Sequence, residues 1–272
     1  MIQRLPGQKV ILVTGTSSGF GKLTASLLAE RGYIVFGTSR KVATESKGGF
    51  EMLQLDITSD QSVKDCVSTV LQGRGRIDVL VNNAGQAMTG GLEETSVEEA
   101  KEHFDSNFFG PVRMVNAVLP DMRKRRSGQI INLSSLAATF PVPFEGYYGA
   151  AKAALLAYTE VLRQEVKSLG IKVSVVEPGF FRTNLLSART AAAHPIADYD
   201  ESRKRAQGAL ETSFDKGADP REVAETIVKI IESPSPALHY VVGKEKNYLL
   251  AKRILPLSLM ESMTRRHWRL DG

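Results

Sequence analysis

Tyr148 and Lys152 stand four residues apart, a spacing that puts both side chains on one face of a helix. A phenol with a pKa of about 10 is a poor proton-transfer group at neutral pH unless something stabilises its anion. A neighbouring ammonium does so by Coulomb attraction. Such a pair could give a proton to a carbonyl oxygen or take one from an alcohol. Ser135 lies upstream, just past a short apolar run, where its hydroxyl could hold the same substrate oxygen. A tyrosine and a lysine at this spacing are common by chance, so the pair gains weight only from its surroundings.

The run Thr14-Gly15-Thr16-Ser17-Ser18-Gly19-Phe20-Gly21 carries a second chemistry. Its glycines let the backbone turn tightly and approach a pyrophosphate with no Cβ in the way. A helix opening there presents N–H groups and a partial positive charge to the anion, and Ser17 and Ser18 add hydroxyl donors. The end of the next strand then separates the two nicotinamide dinucleotides. A carboxylate there would bind the ribose hydroxyls of NAD and repel a 2′-phosphate. This chain has Thr38-Ser39-Arg40-Lys41, and the Arg40 guanidinium can clamp a phosphate with two parallel hydrogen bonds. NADP(H) is therefore expected over NAD(H). The plainer alternative is that Arg40 and Lys41 are exposed loop charges.

The elements that must position these groups follow from apolar patterning. Strands are expected over residues 9–13, 33–38, 51–55, 79–81, 129–133, 172–176 and 237–242. Helices are expected over 20–31, 60–71, 97–126, 148–169 and 221–232, with Gly110-Pro111 interrupting the third. Strand and helix alternate with short connections, and the strands are continuous apolar runs. The predicted fold is α/β: a single Rossmann-type, doubly wound parallel sheet of about seven strands with helices on both faces. Residues 1–244 form that domain, and residues 245–272 are expected to pack on it as an extension divided by Pro256. The polar stretch 183–217 reads as a substrate loop, either a lid with extra helices or a surface excursion.

Composition excludes several classes. Of 272 residues, 42% are hydrophobic and 24% charged, which describes an ordinary globular chain rather than a disordered one. Cys66 is the single cysteine, so no internal disulfide can form, and a reducing compartment fits. No apolar run reaches the roughly 18–20 residues of a membrane span, and residues 10–13 are too short for a signal peptide. A cytoplasmic protein is expected. The net charge of +5 is mostly dispersed, with clusters at 123–126 and at Lys252, Arg253, Arg265, Arg266 and Arg269. No aromatic platform or zinc-finger spacing accompanies them, so nucleic acid is not an expected partner. His103, His194, His239 and His267 are scattered, and no metal site is expected.

Together the glycine turn, Asn82-Asn83-Ala84-Gly85, Asn107, Ser135, Tyr148 and Lys152 closely resemble the short-chain dehydrogenase/reductase family over residues 9–184. The resemblance implies a catalytic tetrad of Asn107, Ser135, Tyr148 and Lys152, with Asn107 holding a water that links the lysine to solvent. It places Gly15, Ser17, Ser18, Gly19, Phe20, Gly21 and Arg40 on the phosphates, and Asp56 and Ile57 near the adenine. It places Asn83, Ala84 and Gly85 along the cofactor, and Pro178, Gly179 and Thr183 on the nicotinamide side, near Tyr148 and Lys152. Tyr147 rivals Tyr148, but the residue four beyond it is Ala151; Ser134 rivals Ser135, and family spacing favours Ser135. Ala151 and Ala137 depart from the family's usual serine and glycine without removing a catalytic group. The implied reaction is direct hydride transfer with tyrosine as general acid/base. Homodimers or homotetramers, built through helices near 103–126 and 148–169, are also implied.

The substrate is the least legible part. Phe180, Phe181, Leu185, Leu186 and the run from Phe140 to Phe144 could wall a pocket for a lipophilic alcohol or ketone, or could be ordinary core. Pro220-Arg221-Glu222-Val223-Ala224, His239-Tyr240-Val241-Val242-Gly243 and Leu255-Pro256 resemble, more loosely, hydroxysteroid and retinol dehydrogenases. The reading is an NADP-dependent oxidoreductase of a lipophilic secondary alcohol/ketone or aldehyde; a non-catalytic NADP-binding sensor or scaffold is the alternative. Leu249, Leu250, Ile254, Leu255, Leu257, Leu259, Met260 and Met263 could pack over the site or a second subunit. With the tail arginines they could instead touch an anionic membrane surface.

Overall fold

β1 (Val10–Val13) shares its four buried apolar residues between two cores. Val10 and Leu12 enter one, Ile11 and Val13 the other, because successive strand side chains point to opposite faces. A strand buried on both faces must therefore be apolar throughout, as the sequence pattern predicts. The computed structural model describes residues 8–41, 48–183, 185–186 and 189–271, with backbone only at 249, 250 and 253. The side chains of Leu249, Leu250 and Arg253 thus lie outside the described residues.

The other main strands are β2 (Ile34–Ser39), β3 (Glu51–Gln54), β4 (Val79–Asn82), β6 (Gly128–Leu133), β7 (Ile171–Pro178) and β9 (His239–Val242). They form one seven-stranded sheet in the order β3-β2-β1-β4-β6-β7-β9, parallel at every pairing. From β1 the chain first winds outward through β2 and β3, then returns to β4 on the other side of β1. Open α/β sheets bind ligands at the carboxyl ends of the strands beside such a reversal.

Helices cover both faces. The first core takes Val63 and Val67 from α2 (Asp60–Arg74), Met114 and Val118 from α4 (Gly110–Arg125), and Leu162 and Val166 from α5 (Gly146–Val166). The second takes Ala25 and Leu28 from α1 (Gly19–Glu30) and Ile227 and Ile231 from α7 (Arg221–Glu232). A polar chain crosses the first core. Asn82 Nδ2 donates to Asn132 Oδ1 at 2.9 Å, and Asn132 Nδ2 donates to Thr159 Oγ1 at 2.9 Å. All three residues are buried, so this chain ties β4 to β6 and β6 to α5, which carries Tyr148 and Lys152.

The expected helix over 97–126 breaks earlier than its sequence suggests. α3 (Val97–Phe104) passes into a π-helical segment, Asp105–Phe109, before α4 begins. Pro111 then sits in the first turn of α4, where its missing N–H costs nothing. The wider turn, a feature often found at functional sites, contains the buried Asn107.

The stretch 183–217 is helical in its second half, α6 (Asp200–Asp215). A two-residue ladder joins β5 (Met88–Thr89) to β8 (Thr190–Ala191). Buried Glu94 accepts from Ile196 N at 2.8 Å and pairs with Arg203, so the stretch is anchored along its length. The tail forms α8 (Asn247–Ile254) and α9 (Leu257–His267), divided at Pro256. Met260 and Trp268 face inward, and Trp268 Nε1–H donates to Pro141 O at 2.9 Å. Ile254, Leu257, Leu259 and Met263 are exposed, while Tyr248 packs on Phe140 and Lys252 Nζ donates to Thr139 O at 2.7 Å. Among the described residues no helix is long and apolar enough to cross a membrane.

Candidate active site

The glycine turn joins β1 to α1 and is clamped from both neighbours. Thr16 N donates to Thr38 O of β2 at 2.8 Å, and Gly15 N donates to Thr38 Oγ1 at 3.3 Å. On the β4 side, Asn83 Nδ2 donates to Thr14 O and Gly15 O, both at 2.9 Å. Thr14 Oγ1 accepts from Asn83 N and Ala84 N at 3.0 and 2.9 Å. A Cβ on Gly21 would lie 2.3 Å from both Asn83 Nδ2 and Gly15 O, so only glycine lets the helix start pack against this turn. Gly21 therefore supports the cleft from behind rather than lining it.

Ser17, Ser18, Gly19 and Phe20 line one wall of that cleft together with Gly15. Arg40 follows the end of β2, Asp56 and Ile57 follow β3, and Ala84 follows β4, all on the same cleft. Asp56 Oδ1 accepts from Thr58 N at 2.9 Å and Thr58 Oγ1 at 2.7 Å. These bonds, with a smaller contribution from the Arg40 charge, hold its carboxyl below the usual aspartate range. Backbone N–H groups at a helix start, with hydroxyls beside them, fit the pyrophosphate of a nicotinamide dinucleotide.

The cleft runs into a second cavity, and Phe20, Asn83, Gly85 and Thr183 line both. Pro178 and Gly179 border only the second. Asn107, Ser135, Tyr148 and Lys152 all line this cavity, and Tyr147 is not among its lining residues. Lys152 Nζ donates to Leu133 O at 3.0 Å and lies 5.8 Å from the Tyr148 ring centroid. Ser135 Oγ accepts from Ala137 N at 3.1 Å, and the serine lines the cavity beside Tyr148. Its neighbour Ser134 also lines the cavity, but its hydroxyl donates to Lys152 O at 2.8 Å, pinning α5 to the end of β6. Asn107 Oδ1 accepts from Gln86 N at 3.2 Å, and its Nδ2 donates to His103 O and Ser106 Oγ, both at 3.1 Å.

Burial dominates the electrostatics. It pushes the Tyr148 phenol up to about 12, partly offset by the nearby Ser135 hydroxyl and increased again by the Glu145 carboxylate. Burial also lowers Lys152 to about 8. Burial and then the Lys152 charge lower His103 to about 4. The spacing of Tyr148 and Lys152 predicts a phenol lowered by its ammonium. In the chain alone, desolvation outweighs that attraction and favours both neutral forms.

The cavity walls are mostly apolar: Leu136, Phe140, Val142, Phe180, Leu185 and Phe214. Phe181, expected beside Phe180, instead fills the second core with its ring 5.5 Å from Phe20, because successive residues face opposite ways. Leu186 packs with the Trp268 cluster. Sequence reasoning missed Asn132 and Thr159, whose only signal was polarity inside otherwise apolar elements. It also missed Glu145, a buried carboxyl in the cavity wall three residues before Tyr148.

The short chain dehydrogenase family model matches residues 9–194. A 3-ketodihydrosphingosine reductase of Bacteroides thetaiotaomicron is 42% identical over 246 residues, covering 90% of this chain and 91% of that protein. The crystal structure of a short-chain dehydrogenase from Streptomyces avermitilis superposes with a TM-score of 0.82 at 34% identity, covering 96% of this chain and 99% of that one. A serine dehydrogenase in its closed form, complexed with NADP+, gives a TM-score of 0.74 at 26% identity, covering 86% and 94%. With its parallel seven-stranded sheet and glycine turn, and with that match across more than half its length, the chain is an oxidoreductase of the short-chain dehydrogenase/reductase family.

Proposed function

We propose that the protein is an NADP(H)-dependent oxidoreductase of a lipophilic secondary alcohol/ketone or aldehyde, with Tyr148 as general acid/base. The observation that carries this reading is that Tyr148, Ser135 and Lys152 line one apolar cavity, which opens onto the cleft at the glycine turn. In the cleft, Gly15, Ser17, Ser18 and Gly19 would hold the pyrophosphate and Arg40 the 2′-phosphate, which favours NADP(H) over NAD(H). Asp56 and Ile57 would border the adenine, and Pro178, Gly179 and Thr183 the nicotinamide. When bound, the nicotinamide supplies or accepts the hydride.

The chain's own residues handle the proton. The Ser135 and Tyr148 hydroxyls both donate to the carbonyl oxygen, stabilising the negative charge that grows there during reduction. Tyr148 then gives up its proton. Reduction needs a protonated phenol at the start, and burial keeps Tyr148 in that form at neutral pH. Lys152, held on Leu133 O, stabilises the phenolate left behind. Asn107, beside it, would hold the water that returns a proton from solvent.

The apolar walls suit a hydrocarbon chain, and the Bacteroides relative makes 3-ketodihydrosphingosine the first ketone to try. Phe109 and Val161 are exposed apolar residues on the π-helical segment and α5, where a second copy in a homo-oligomer would cover them. The lone, buried Cys66 fits a cytoplasmic location.

The test is consumption of NADPH and NADH by the purified protein with a panel of lipophilic ketones and aldehydes, run beside Tyr148→Phe. Oxidation of NADPH with little of NADH, abolished in the variant, supports the reading. Cofactor binding with no turnover of any carbonyl would favour a sensor. A variant as active as the parent would remove Tyr148 from its role.

A further inference from the structure

Glu145 is a charged side chain in the wrong solvent. It is 6% exposed, it lines the cavity among phenylalanine and leucine side chains, and its Oε1 has no hydrogen-bond partner among the described residues. Burying a carboxyl without a partner is costly, so a site that retains one has a use for it. The backbone before it is strained as well. Phe144 adopts φ +64, a conformation that bulky residues rarely take, and such strain concentrates at ligand sites. Gly90 N donates to Phe144 O at 2.7 Å, and the Phe144 ring packs 6.3 Å from Tyr199. Those two contacts tie the strained residue both to the ladder β5 and to the anchored stretch before α6.

Four charged or titratable groups surround Glu145. Tyr148 lies three residues on and feels its charge. Lys152 lines the same cavity, with its Nζ bonded to Leu133 O at 3.0 Å. Arg189 is the cation that partly offsets its burial; its Nη2 is bonded to Glu211 at 3.2 Å, and its Nη1 is buried and makes no hydrogen bond among the described residues. Glu245 is the other carboxyl in the cavity wall, but its Oε2 accepts from Phe180 N at 3.4 Å. Glu145 therefore has an acceptor available inside the cavity, three residues before Tyr148.

We propose that Glu145 binds an ammonium group of the substrate, so that the preferred ketone carries an amine on the carbon next to its carbonyl. The placement follows from the cavity: Glu145 precedes the first turn of α5, lines the same cavity as Tyr148 and is near enough for its charge to act on the phenol, so a carbonyl at Tyr148 puts its α-substituent within reach of Glu145. A carboxylate pairs more strongly with a cationic donor than with a hydroxyl, and the apolar walls strengthen that preference. Burial raises the Glu145 carboxyl to about 7, so an ammonium would complete its ionisation on binding. This inference rests on the ketone-reduction reading and adds to it the class of ketone.

Two measurements test it. In the first, a medium-chain alkylamine and the alcohol of equal chain length are titrated calorimetrically into the protein saturated with NADP+. The amine is expected to bind about tenfold more tightly or better. That preference should grow from about pH 6 to about pH 8, as the carboxyl ionises, and shrink in Glu145→Gln. In the second, kcat/KM is compared for an α-amino long-chain ketone and its desamino analogue within each protein. The ratio should fall about tenfold in Glu145→Gln, which a merely structural role would not cause. Equal binding of amine and alcohol overturns the proposal. So does a preference that survives in Glu145→Gln, or one lost equally in Glu245→Gln. If no ketone is reduced, the reaction assignment fails, while calorimetry still decides whether Glu145 reads an amine.

Discussion

Lys152 and Leu133 are joined by a 3.0 Å hydrogen bond from Nζ to the last carbonyl of β6, which fixes the ammonium beside the Tyr148 ring. The anchor holds a cation where burial opposes it, lowering its pKa from 10.5 to about 8. Between those two values the unfolded chain binds more protons than the folded one, so stability rises with pH across that window. Below about pH 8 the buried charge costs roughly 3 kcal/mol, and losing the bond to Leu133 would offset roughly 1 kcal/mol of the gain on removing it. Lys152→Met should therefore be more stable than the parent at neutral pH by about 2 kcal/mol and inactive. The stability gap should close as pH rises from about 8 to 10.5. Urea unfolding of both proteins across that range is the measurement; a gap independent of pH would contradict the assignment.

Arg40 stands at the end of β2 with its side chain on the cleft. If it grips the 2′-phosphate, Arg40→Ala should lower kcat/KM for NADPH about tenfold to a hundredfold and leave that for NADH nearly unchanged. Only the ratio matters, because any damage to the fold would depress both. An unchanged ratio would return Arg40 to the status of a loop charge.

Gly85 lies where the cleft meets the cavity that holds Asn107 and Lys152. A Cβ there would lie 2.8 Å from Asn107 Oδ1 and 3.4 Å from Lys152 Nζ. Gly85→Ala should fold, since the neighbours it meets are side-chain tips rather than backbone. It should lower kcat by about tenfold or more through displacement of Asn107 and Lys152. Loss confined to cofactor affinity, with kcat intact, would show that the glycine serves the cleft alone.

The sheet was legible because β1, β4 and β6 are apolar on both faces, and only a strand covered twice requires that. The placement of Tyr148 and Lys152 on one side of a helix, and of the glycine turn between β1 and α1, was legible because both depend on local spacing. What stayed hidden depends on distant partners. Asn132 is an ordinary polar residue until β4 brings Asn82 to it and α5 brings Thr159. The break near Asn107 was read at Gly110-Pro111, yet the π-helical turn precedes both, since helix widening leaves no compositional mark. Glu145 looked like a polar residue between phenylalanine and glycine; only closure of the cavity deprives it of solvent.

Trp268 backs one wall of the apolar cavity although it is the fifth residue from the end of the chain. Its ring is fully buried, 5.8 Å from Phe140 and 6.1 Å from Phe180, and both of those rings line the cavity. Its indole N–H is satisfied by Pro141 O, within the same wall. Trp268→Ala should cost about 3–5 kcal/mol, the usual range for emptying a buried aromatic site. Because Phe140 and Phe180 lose their backing, KM for a long-chain ketone should rise more than kcat falls, while the KM for NADPH holds. Thermal unfolding gives the first quantity and steady-state kinetics the second. If stability falls but the ketone KM does not move, the tail braces the fold without shaping the cavity. If both change together, the C-terminal helices are part of the substrate wall.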